Sequence, residues 1–147
     1  MSEGIRGGEP PQEPIQAPPP RWWLALYWLL PAIAYAALIF WLSSQPNPLP
    51  RLSSRVSDKL LHLLEYATFA VVASWGLSHL MALPRAARWA ALIGSLYGAT
   101  DELHQRFVPH RSAEVADWLT DTVGAALGAL LAWLVLRRWR ARASIRR

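Results

Sequence analysis

Cysteine is absent from the chain, which excludes disulfide bonds and thiolate chemistry. Charge is scarce. Asp, Glu, Lys and Arg supply 17% of the 147 residues, while hydrophobic residues supply 53%. That balance is too apolar for an ordinary soluble domain of this length. No internal repeat of useful length is visible. No small-residue cleavage site follows the first apolar run, so that run reads as an uncleaved anchor and not a removable signal peptide. Acids are the scarcer sign, leaving a net charge of +5. In so apolar a chain this excess fits topology retention and attraction to anionic lipid. Nucleic acid is not an expected partner.

What is present is a set of apolar runs. Residues 22–42 carry no charge and hold many aromatic residues. About 20 such residues cross a hydrocarbon core of about 30 Å, so this is a transmembrane helix, with a kink expected at Pro31. Residues 60–83 are apolar apart from His62, Glu65 and His79, and residues 89–100 and 122–136 are uncharged. The last two runs are too short to span alone. They reach full length only by including Asp101–Gln105 and Asp117–Asp121. The expectation is an all-α polytopic membrane protein, a four-transmembrane-helix bundle. Residues 1–21, with six of the twelve prolines, read as a disordered cytoplasmic tail. Residues 22–136 form the membrane domain and 137–147 a basic cytoplasmic tail.

Basic residues set the expected orientation. With four spans, Arg6, Arg21, Arg85, Arg88 and the six arginines after residue 136 share one side, against Arg51, Arg55, Lys59, Arg106 and Arg111 on the other. Ten against five places both termini in the cytoplasm of a multi-pass protein of the bacterial cytoplasmic membrane. Trp22, Trp23, Trp89 and Trp139 then mark the inner interface, and Trp41 and Trp118 the outer one. The seven acids beyond the tail all converge on the outer face.

Ionisable groups at membrane depth are costly and point to a functional site. Asp58, His62, Glu65 and Tyr66 share one stripe of the second helix, and Tyr97, Asp101 and Gln105 one stripe of the third. Glu114, Asp117 and Asp121 recur on the fourth with Gly124 and Gly128. Gly94 and Gly98 lie four apart on the third, a spacing that lets membrane helices approach closely. Helices three and four are expected to pack through these four glycines. In the intervening loop Pro109 is expected to end the third helix or to restrict the residue before it, Ser112 is the expected N-cap of the fourth, and Arg111 offers a planar fork for a carboxylate or phosphate. Arg111 neutralising Asp101 or Asp117 is the plainer alternative. Glu102 facing the headgroups and Asp58 acting only as a helix cap are others.

The segments S-D-K-L-L-H-L-L-E-Y (57–66), D-E-L-H-Q-R-F-V-P-H-R (101–111) and D-W-L-T-D-T-V-G-A-A-L-G (117–128), in this order and spacing, resemble the VanZ-like family. The resemblance covers about residues 40–136. It implies a small polytopic bacterial membrane protein; the founding member is associated with low-level resistance to the glycopeptide antibiotic teicoplanin. It supplies no biochemical mechanism. Two positions depart from the family pattern: His110 stands where glycine commonly follows the proline, and Asp121 where asparagine precedes T-x-x-G.

Three functional classes remain open. The favoured one is recognition of an envelope ligand, a lipid headgroup or a cell-wall precursor, by Asp58, Lys59, His62, Tyr66, Asp101, Gln105, Arg111, Asp117 and Asp121. The second is a membrane-embedded hydrolase or transferase with His62, Asp101, Glu102 and Asp117 as catalytic candidates, although no serine or cysteine nucleophile has an evident base. The third is a metal or proton site with His62, Glu65, Asp101 and His104. The H-x-x-E and D-E-x-H spacings arise readily by chance, so neither a metal nor any other cofactor is assigned.

Overall fold

The computed structural model describes residues 21–46 and 57–145. It contains four helices: α1 (Arg21–Ser43), α2 (Asp58–Leu77), α3 (Leu83–Gln105) and α4 (Val115–Ile145), with no strand among the described residues. The architecture of the described residues is all-α, as the length of the apolar runs leads one to expect. Three helices, α1, α2 and α4, are long and apolar enough to cross a membrane. At 1.5 Å per residue each covers about 30 Å or more. The fourth, α3, has 23 residues, enough length, but Arg85, Arg88, Asp101 and Glu102 lie within it and dilute its hydropathy.

The distribution of side chains is that of a membrane protein. Large apolar residues point outward: Trp23, Leu30, Ile33, Leu96, Leu119 and Leu131 are all exposed. The interior is made of small residues, including Ala70, Ala73, Ala86, Ala90, Ala125 and Ala129. Such an interior gives the helices close van der Waals contact where lipid removes the hydrophobic drive for large side chains to cluster. α4 packs most extensively on α2 and next on α3, and α1 lies mainly along α2.

The glycines are used differently from the sequence expectation. Gly94 and Gly98 do face α4: an added Cβ would come within 2.7 Å of Ala125 Cβ and 2.9 Å of Asp121 Cβ. Gly124 and Gly128 face α2 instead, where an added Cβ would collide with the Leu63 and Ala67 carbonyl oxygens. The reason lies in the helical period. Residues 121 and 125 turn toward α3, and residues 124 and 128 fall on the neighbouring face. α4 thus presents two small-residue faces to two helices.

Boundaries shift in three places. α2 ends at Leu77, not near 83, because Pro84 at the first turn fixes the start of α3. The basic segment after residue 136 continues α4 as helix to Ile145. Arg21, placed in the tail by sequence, begins α1; the rest of that tail lies outside the described residues. Pro31 sits inside α1 without ending it.

The ends of the bundle are unlike. At one, Arg140 Nη2 donates to the Ser78 carbonyl at 3.1 Å and to Ser78 Oγ at 2.8 Å, and His79 stacks on Trp28 at 3.7 Å between ring centroids. Burial, and then the nearby Arg140 charge, lower the His79 pKa from its ordinary value. The other end gathers the acids.

Candidate functional site

Opposed helix directions bring three polar sequence segments to one depth. The end of α1, the start of α2, the end of α3 and the start of α4 meet there, as the contacts Ser43–Asp101 and Lys59–Asp117 record. Between them lies a cavity of about 510 Å³, lined by Asp58, His62, Glu65, Gln105, Arg111 and Asp117 among others, with Tyr35, Leu42 and Leu61 as its less polar wall.

Each polar residue has a distinct setting. Lys59 bridges to Asp117 Oδ1 and, at 3.3 Å, to Glu114 Oε2. Lys59 and Glu114 are about half exposed, so the pair with Glu114 adds little. His62 is buried and its Nδ1 is 3.0 Å from Asp121 Oδ1. Asp121 is 0% exposed, seated against Gly98, whose missing side chain makes the room. Asp101 Oδ2 accepts from Ser43 Oγ at 2.9 Å and from Gln105 Nε2 at 3.0 Å. Tyr97 donates to the Ala36 carbonyl at 2.7 Å, tying α3 to α1. Tyr66 is fully buried and its hydroxyl has no partner among the described residues.

Several alternatives are settled by these contacts. Arg111 pairs with neither Asp101 nor Asp117; its Nε donates to the Gln45 carbonyl at 3.2 Å, and it makes no ion pair among the described residues. Glu102 does not face outward. It is 7% exposed, and its Oε2 accepts the Glu114 backbone N–H at 2.8 Å. Asp58 is exposed and is the first helical residue, with Ser57 in the cap position. The expected Ser112 cap does not form. The Glu114 carbonyl accepts the first bonds of α4, from Asp117 and Trp118 N–H, so the cap function passes to Glu102 across the helix pair. Trp118, expected at an interface, is half-buried and donates to the Ser95 carbonyl at 3.0 Å.

The fourfold set His62, Glu65, Asp101 and His104 is not assembled, since His104 turns to Ser44 Oγ at 3.1 Å. Two other trios come close: Asp58, His62 and Asp117, and His62, Glu102 and Asp121, each with its donor atoms within 4.8 Å of one another.

A family model described as VanZ/LLP1 matches residues 26–136. The chain belongs to the VanZ/LLP1 family. No curated protein and no solved structure matches it. The match takes in all of α2 and α3, most of α1 and α4 up to Leu136, and so every residue of this VanZ-family site.

The position where the VanZ pattern resembled above has glycine is one where the backbone conformation favours it. His110 has φ 64°, a non-glycine residue in the left-handed region. The turn after Pro109 therefore keeps its shape at the cost of side-chain crowding. The Asp121 departure places a carboxylate at the most enclosed point of the site.

Sequence reasoning missed Ser43. It closes the first apolar run and gave no signal of its own, yet it lies on the cavity wall and holds Asp101. Gln45 was missed for the same reason: its carbonyl, not its side chain, is what Arg111 uses.

Proposed function

We propose that this VanZ-family membrane protein recognises the polar headgroup of an envelope amphiphile, a lipid or a cell-wall precursor. In this reading the acid-lined end faces the outer leaflet of the bacterial cytoplasmic membrane, with both termini in the cytoplasm. The observation that carries it is the cavity of about 510 Å³ at the end of the bundle where the three polar motifs meet. Its walls offer carboxylates from Asp58, Glu65, Glu114 and Asp117 to amine or hydroxyl donors. Arg111 engages Gln45 through Nε, which leaves its other guanidinium donors for a phosphate or carboxylate. Asp101 and Gln105 brace the wall, and Lys59 steadies Asp117. A ligand carrying both an anionic group and hydroxyl or amine donors suits this mixture better than a simple anion.

A second reading, a hydrolase or transferase, draws on one contact: Ser43 Oγ lies 2.9 Å from Asp101 Oδ2 on the cavity wall, with His62 on the same wall. One experiment separates the two. The protein is extracted from native membranes with its bound lipids, which are identified by mass spectrometry beside extracts of Arg111→Ala and Asp58→Asn. Enrichment of one intact amphiphile by wild type, lost in both variants, is the expected outcome. A chemically altered amphiphile points to the enzyme. A lipid profile equal to bulk membrane in all three sinks the recognition reading.

A further inference from the structure

We propose that a single divalent transition-metal cation binds between α2, α3 and α4, held by His62, Glu102 and Asp121. One donor comes from each helix, and the donor atoms lie within 4.8 Å of one another. Three donors on one ion at 2.0–2.2 Å stand about 3.3–3.8 Å from one another in tetrahedral or trigonal geometry, so closing the site moves each donor by less than about 1 Å. All three residues are buried.

Two independent observations point to a missing partner. Among the described residues Glu102 Oε1 and Asp121 Oδ2 are buried and accept nothing, although their sister oxygens are satisfied by the Glu114 N–H and by His62. Buried acceptors without partners are rare because each forfeits its hydration. The local charge is also unbalanced. Asp101, Glu102, Asp117 and Asp121 are all buried. Lys59 serves Asp117, and Arg111 is bonded to a backbone carbonyl. Asp101, Glu102 and Asp121 have no lysine or arginine partner among the described residues, and two positive charges at this point offset most of their charge. One imidazole with two carboxylates suits zinc or a neighbouring first-row ion, whereas an all-oxygen set suits magnesium or calcium. Three protein donors leave a coordination position for another ligand, and His62 also lines the cavity.

The trio Asp58, His62 and Asp117 is equally close, but Asp58 is exposed and Asp117 is already held by Lys59. The deeper trio is the one with unmet acceptors. The proposal requires no headgroup in the cavity and stands apart from the recognition reading.

The test uses the purified full-length protein in detergent, stripped with EDTA, exposed to Zn²⁺ and freed of excess. Metal content is read by elemental mass spectrometry, affinity by competition with a chelating dye, and Tm with and without Zn²⁺. Wild type is expected to retain about one equivalent and to gain thermal stability. Glu102→Gln and Asp121→Asn keep the acceptors that the Glu114 N–H and His62 use, so both should remain monodisperse. They should lose more than about a hundredfold in affinity, beyond the range of outer-shell changes. Asp58→Asn should bind as wild type. A wild type that retains no zinc and shows no Tm shift overturns the proposal. So do variants at 102 and 121 that bind like wild type. Loss in Asp58→Asn with retention in Glu102→Gln assigns the ion to the upper trio instead.

Discussion

Asp121 is fully buried and has a single partner among the described residues, His62 Nδ1. Removing one member of such a pair leaves the other buried and alone, which costs about 3–5 kcal/mol. His62→Ala is therefore expected to lower the unfolding free energy in mixed micelles by about that amount. Asp121→Asn, which keeps an acceptor and carries no charge, should cost less than half as much; equal losses in the two variants would contradict this account. His110 gives the opposite sign. A non-glycine residue in the left-handed region costs about 1–2 kcal/mol, and the chain entropy of glycine returns about 0.5–1 of it. His110→Gly should raise Tm modestly and His110→Val should lower it; a lower Tm for the glycine variant would show that the imidazole itself supports the turn. At this scale the sequence was legible in part. Charges at membrane depth announced Asp101, Asp117 and Asp121 directly. Partner choice was not legible, because Arg111 and Glu102 both use backbone groups, which carry no residue-specific signal.

The helices themselves were legible from apolar length, and α1 needed nothing more. α3 was harder, since its acids lower its hydropathy and Pro84, not a change of polarity, sets its start. The glycine spacing identified close approach but not the partner, because residues 121 and 125 face one helix and residues 124 and 128 another. The glycine–carbonyl contacts between α2 and α4 yield a sharp expectation. Gly128→Ala forces a methyl group into the Ala67 carbonyl and should cost about 1–3 kcal/mol by overpacking. Ala126→Gly, on an exposed face of α4, should cost no more than about 1 kcal/mol through helix propensity. Denaturation in detergent reads both; a Gly128→Ala variant as stable as wild type would mean that the two helices can part without loss.

At the scale of the whole molecule, class and the crowding of polar residues at one end are readable from the sequence, and the structure adds the cavity between the ends of the helices. Both rest on the same physics: polar groups are tolerated at membrane depth only where protein surrounds them. The proposed orientation predicts that a cysteine introduced at exposed Arg142 stays unlabelled by an impermeant maleimide in intact cells, while one at exposed Phe107 is labelled. The reverse pattern would invert the assignment and move the cavity to the cytoplasmic face. Packing through backbone contact has a further result for the way such a chain tolerates change. Lipid-facing positions such as Leu30, Leu96 and Leu131 need only remain apolar, so they can drift freely among Leu, Ile, Val and Phe. The glycine column on α4 is the least tolerant, since even a methyl group meets the α2 backbone. A saturation library scored for membrane accumulation should therefore separate into two populations along the same helix, permissive and intolerant, alternating with the helical turn.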